Sequence, residues 1–218
     1  MSRGPKKASG ERSNMYSMNK CSNWSRFNPF DSEIEAIPPS VRPASTIETE
    51  TGTRIGIFAR DPHPSFIQPV SVEDVETALK DVPAEFLRGL TSVYILGGTA
   101  KQAKAALSRL FRFGCYGRNR IYLHAFPKRC LRLTYKVPPL PDALQEYIRA
   151  GATWSSEGSL HELRFSEESL RTFYLRDVLL HEVGHHVDES NPFRKKRAAS
   201  ERYANWFTSF CSQEMNRA

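Results

Sequence analysis

Cysteine is sparse and never paired along the chain: Cys21, Cys115, Cys130 and Cys211 are scattered through 218 residues without a CxxC spacing. That pattern argues against a disulfide framework or a structural zinc knuckle and fits a reducing compartment. Long apolar runs are missing too. No stretch of about 18 apolar residues occurs, and the N-terminal region lacks the hydrophobic segment of a secretory signal. Neither a membrane span nor export is therefore expected, and the expected location is cytoplasmic. Internal repeats, a Walker-type glycine loop, a dinucleotide fingerprint and a GxSxG elbow are also absent, which leaves nucleotide chemistry and serine hydrolysis without support.

Charge is unevenly spread. Of a formal net charge of +7, most comes from Arg3, Lys6, Lys7, Arg12, Lys20 and Arg26, opposed only by Glu11 within residues 1–30. The remainder is close to neutral, so no electrostatic face for nucleic acid is implied for the folded part. Residues 1–52 are rich in Ser, Asn, Pro and charge without periodicity and read as a disordered basic tail. Within it, Trp24, Phe27 and Phe30 stand out as either a short docking motif or a cover for a groove. Residues 53–218 read as one folded domain.

From Thr53 the pattern changes. Arg54–Ala59 alternates as a strand, and Ser71 with Asp74 forms a capping box for a helix that buries Val75, Leu79 and Val82. Residues 91–96 read as an interior strand. Thr99 and Gln102 cap a helix whose stripe of Ala103, Ala106, Leu107, Leu110 and Phe111 is core packing, ended by Gly114. Residues 118–126 form a further strand, with Ile121, Leu123 and Ala125 on one face and Tyr122, His124 and Phe126 on the other. The proline-rich segment from Lys128 to Gly158 holds a short helix, capped by Asp142 with Gln145 and closed by Gly151.

The strongest signal lies between Leu170 and Glu189. Ser166 is a suitable N-cap, Glu167 and Glu168 suit the positive end of a helix, and Leu170, Phe173, Val178 and Leu179 recur at helical spacing. On that helix His181 and His185 share one face, a turn apart, so both imidazoles reach a single metal ion. Glu182, offset by about 100°, can accept a proton from a metal-activated water without binding the metal. This is the HExxH arrangement of zinc metalloproteases. Gly184 costs a helix interior about 1 kcal/mol against Ala, and close approach of another backbone would justify it.

A catalytic zinc site takes three protein ligands. Asp188 and Asn191 stand where a metzincin needs glycine and histidine, which excludes that class. Downstream, Asn191-Pro192 reads as the start of a second helix running toward Cys211. It carries Glu201, far enough past His185 for the chain to fold back, and Glu201 is the expected third ligand. The alternative for Glu201 is an exposed acid paired with Arg197 or Arg202.

His181-Glu182-Val183-Gly184-His185 followed by Glu201-Arg202-Tyr203-Ala204-Asn205-Trp206-Phe207 resembles the gluzincin metallopeptidases, particularly the ImmA/IrrE type, whose motif is HExxH and then E-x-x-A-N-x-F. The match covers residues 165–212. The resemblance implies a zincin-like α+β domain, with a small mixed sheet whose edge strand runs beside the metal helix. It also implies Zn²⁺ on His181, His185 and Glu201, with Glu182 as general base hydrolysing a protein or peptide substrate. In zincins an edge strand beside the metal helix pairs with extended substrate, and Ile121, Tyr122, Leu123 and His124 are the expected strand here. Asp177, one turn before His181, is expected to orient that imidazole, with Tyr203 and Asn205 as further supports. Lethal-factor-type toxins carry a similar metal helix, which leaves a delivered protease effector as one alternative and a non-catalytic zinc sensor or adaptor as another.

Overall fold

Short β-branched runs set the architecture. The computed structural model describes residues 42–107, 112–190 and 197–215. The readings for the tail aromatics, for Leu110 and Phe111 and for a helix start at Asn191-Pro192 fall outside those residues. The strands are β1 (Ser45–Glu48), β2 (Arg54–Ala59), β3 (Phe66–Ile67), β4 (Ser92–Ile95), β5 (Gly114–Gly117), β6 (Arg120–Leu123) and β7 (Phe126–Pro127), followed by β8 (Arg132–Tyr135), β9 (Thr153–Glu157) and β10 (Leu160–Arg164). A five-stranded sheet takes the order β1-β2-β4-β6-β5. β2, β4 and β6 are parallel, and β1 and β5 run antiparallel at its two edges. β8, β10 and β9 form a separate antiparallel sheet, and β3 pairs with β7.

Helices cover the sheet through the apolar residues that the periodicity marks. α1 (Val72–Lys80) begins at a Ser71/Asp74 capping box and buries Val75 and Leu79. α2 (Ala100–Leu107) begins where the Thr99 and Gln102 side chains cap each other's backbone N–H. α3 (Pro141–Arg149) is followed by α4 (Glu167–Phe173), which a Ser166/Ser169 capping box opens. α4 runs through a π-helical stretch, Tyr174–Leu179, into α5 (Leu180–Glu189), and α6 (Arg197–Met215) packs across α5. Ile55, Ile57, Val93, Ile121 and Leu123 from the sheet meet Leu79, Leu170, Phe173, Val178 and Val183 from the helices in one core. Burial of such side chains stabilises by roughly 1.5–3 kcal/mol each before entropy is charged against it.

Several expectations are corrected. The folded domain starts before residue 53: β1 pairs Ser45–Glu48 with β2 and buries Ile47. Alternating chemistry is weak over four residues, which is why this strand reads as tail. Gly114 does not end a helix; it opens β5. α3 is entered through Leu140 with Pro141 in its first turn, and Asp142 sits in that turn without capping it. The strand holding Ile121, Tyr122 and Leu123 is not at the edge: β6 lies between β4 and β5, and Ile121, Tyr122, Leu123 and His124 are all buried. Among the described residues β5 is the edge strand beside the metal helix. The architecture is α+β, with the helix bearing His181 and His185 packed along β5.

Candidate metal centre

Two helices build the site. On α5 the i and i+4 spacing stacks the His181 and His185 rings, with centroids 4.6 Å apart and planes nearly perpendicular. Both rings are buried. α6 then brings Glu201 over them: one carboxylate oxygen is 3.5 Å from His181 Nε2 and the other 3.7 Å from His185 Nε2. The three donor atoms all lie within 4.8 Å of one another.

These separations suit a small cation. Ligand atoms about 2.0–2.1 Å from a tetrahedral zinc stand roughly 3.3–3.4 Å from each other, close to the two nitrogen–oxygen distances here. Two imidazoles and one carboxylate are also a donor set that zinc favours over calcium or magnesium. The residues present fit the metal. The Glu201 side chain is 28% exposed, against 1% for His181, so the centre opens on the α6 side.

The helix crossing that delivers Glu201 depends on Gly184. A β-carbon there would stand 3.2 Å from Ala204 Cβ and 3.1 Å from Phe207 Cβ. The anticipated close backbone approach is present, and its partner is Ala204, fully buried three residues beyond Glu201.

Glu182, next to His181 on α5, is buried. It faces the edge strand: a β-carbon on Gly114 would lie 3.2 Å from its Cγ and Oε1, and 2.7 Å from Val178 Cγ1. His186, next along α5, has both ring nitrogens engaged. Its Nε2–H donates to the Arg88 carbonyl at 3.0 Å, and its Nδ1 lies 3.2 Å from the Tyr116 hydroxyl on β5. Burial lowers its pKa, so the neutral ring that these contacts use is favoured.

The remaining expected residues are more dispersed. Asp177 is buried on the π-helical stretch and pairs with the Arg149 guanidinium at the end of α3. Tyr203 is half-buried, its ring packs against Trp206 and Phe207, and burial followed by the Asp188 charge raises its pKa. Asn205 is exposed. His124 is a core histidine: burial, and then the Arg112 charge, lowers its pKa to about 3. Its carbonyl accepts from the Tyr174 hydroxyl at 2.9 Å, its N–H donates to the Phe113 carbonyl, and its Nε2 lies 4.0 Å from Cys115 Sγ.

Two residues at the site have no motif letter to mark them. Gly114 is one. The other is Ser200, buried, with its hydroxyl 3.1 Å from His185 Nδ1. Its only sequence signal is a hydroxyl residue next to an expected ligand on a helix. Among the described residues no helix is long and apolar enough to cross a membrane. No protein-family model, curated protein or solved structure matches the chain.

Proposed function

We propose that this chain is a zinc-dependent metallopeptidase of the gluzincin type that hydrolyses peptide bonds in a protein substrate. The observation that carries the reading is the convergence of His181, His185 and Glu201 from two helices, with a second acid, the buried Glu182, alongside. Zinc bound to those three side chains supplies Lewis acidity and a water that loses its proton near neutral pH.

The chain's own groups do the rest. Glu182 accepts the proton at its carboxylate and returns it to the departing amine. A site that only stored metal would have no use for that acid, which supports the enzyme over a sensor or adaptor. β5 offers an edge at which an extended peptide can add as a further strand, bringing its carbonyl toward the α5 side of the sheet. The Arg149–Asp177 pair braces the helix one turn before His181, and Tyr203, held beside Asp188, steadies the packing of α6 on α5. Asn205 keeps its place in the motif as a polar support at the α6 surface.

The test is a search for new protein N-termini in a native cell lysate treated with zinc-loaded protein, with Glu182→Gln as control. Cleavages present with the wild type and lost in a variant that still binds zinc are expected. If no cleavage depends on Glu182, the hydrolytic role is wrong and the protein is a metal-binding module.

A further inference from the structure

Ser200 stands immediately before Glu201 on α6, only 3% exposed, and its hydroxyl oxygen is 3.1 Å from Nδ1 of His185. The two residues are neighbours in sequence but have different tasks in space. Glu201 reaches the Nε2 side of the histidine pair, while Ser200 reaches the opposite edge of the His185 ring. One turn of α6 therefore contacts both nitrogens of the same imidazole.

A neutral imidazole carries one N–H and one lone pair, and only the lone pair binds a metal. The Glu201 carboxylate and His181 define the Nε2 side as the metal side. Nδ1 must then hold the hydrogen, and it needs an acceptor in a buried place where water is scarce. A serine hydroxyl accepts such a bond. A partner of this kind also fixes ring rotation, so that Nε2 is aimed before any metal arrives.

We propose that Ser200 is a positioning residue of the metal centre: its hydroxyl accepts from His185 Nδ1–H, locks the tautomer with a bare Nε2, and holds the ring toward His181 and Glu201. The inference rests on the metal-centre reading for its purpose, but the hydrogen bond itself is a property of the metal-free protein. It accounts for a buried hydroxyl at a helix crossing that apolar packing alone would fill with alanine. It also explains how α6 stiffens the site before zinc binds: the helix that donates the third ligand orients the second.

Two measurements test it. In metal-free, full-length protein labelled with ¹⁵N-histidine, long-range proton–nitrogen correlation spectra should show His185 protonated on Nδ1. Ser200→Ala should move it toward the mixed tautomers of a free imidazole, and Ser200→Thr should restore the wild-type pattern. In parallel, competition with a chromogenic chelator should show zinc affinity falling by roughly 10–100-fold in Ser200→Ala, as for other outer partners of metal-bound histidines, with recovery in Ser200→Thr. A wild-type His185 protonated on Nε2, or a Ser200→Ala protein with unchanged tautomer and unchanged zinc affinity, overturns the inference. Should Ser200→Ala fail to fold, the wild-type tautomer still decides it. Wild-type protein that binds no zinc while His185 is held on Nδ1–H defeats the metal-centre reading and leaves the Ser200 bond standing.

Discussion

The Cα of Ala204 lies 2.8 Å from the point where a β-carbon on Gly184 would stand, closer than any real side chain tolerates. Gly184 is central in α5 and Ala204 belongs to the turn of α6 that carries Glu201, so this contact sets how deeply Glu201 descends onto the histidines. In Gly184→Ala two effects compete. The helix gains about 1 kcal/mol of propensity, while overpacking against a backbone atom costs about 1–3 kcal/mol. Backbone cannot rotate away as a flexible side chain would, so the second effect wins. Thermal unfolding of metal-free protein should show a net loss of up to about 2 kcal/mol, and zinc affinity should fall as well because α6 moves outward with Glu201.

Glu201→Ala separates ligation from packing. The side chain is partly exposed, so its loss should change the stability of metal-free protein by no more than about 0.5 kcal/mol. Zinc affinity should fall by at least about 100-fold, more than for loss of an outer partner, because one of three ligands is gone. The wild-type melting temperature should rise on adding zinc and drop with a chelator, since a ligand that binds only the folded state stabilises it. In the variant that response should vanish. An intact response would place the third ligand elsewhere.

Much of this site could be read from the chain because its chemistry is written in local spacing. His181, Glu182 and His185 occupy fixed places on one helix, Glu201 begins a second short pattern, and Gly184 signals a close contact by its cost. Caps at Ser71, Thr99 and Ser166 are equally local, since each is a side chain bonding its own backbone three residues on. What escaped reading depends on neighbours distant in sequence. Alternation says which face Ile121 and Leu123 occupy but not which strands flank them, so an interior strand reads as readily as an edge. A glycine after an apolar stripe looks the same whether it ends a helix or, like Gly114, begins a strand. Ser200 and Arg149 acquire their roles only across helices that the fold brings together.

His124 should make the fold acid-sensitive. An unfolded histidine titrates near 6.5, whereas burial holds His124 at about 3 in the folded protein. Below pH 6.5 the unfolded chain therefore binds a proton that the folded chain refuses. The stability contributed by the neutral buried ring is complete above that pH and is lost as pH falls toward 3, at up to about 1.4 kcal/mol per pH unit. His124→Gln, with no proton to take up, removes this component while costing some stability at neutral pH. Urea unfolding at about pH 6.5 and about pH 5 should show the wild type losing roughly 1.6 kcal/mol more than the variant across that interval. Equal losses would mean that His124 is protonated in the folded state.

Gly114→Ala is the sharpest probe of Glu182, because the atoms nearest to the new methyl belong to Val178 and to the proposed base. A new methyl on β5 would meet Val178 Cγ1 at 2.7 Å and Glu182 Cγ and Oε1 at 3.2 Å. Val178 is buried and β-branched on a helix, so its methyl turns aside only at a cost, and the buried Glu182 must in turn shift its carboxylate relative to the histidines. A misplacement of about 1 Å at a reacting group can cost on the order of 100-fold in rate. The variant should therefore bind zinc with nearly wild-type affinity, lose about 1–2 kcal/mol of stability from overpacking, and show a kcat reduced by one to two orders of magnitude with little change in KM. Loss of zinc affinity together with turnover would instead mean that β5 positions the ligand helix as a whole. An unchanged kcat would mean that Glu182 does not act from the place where the edge strand holds it.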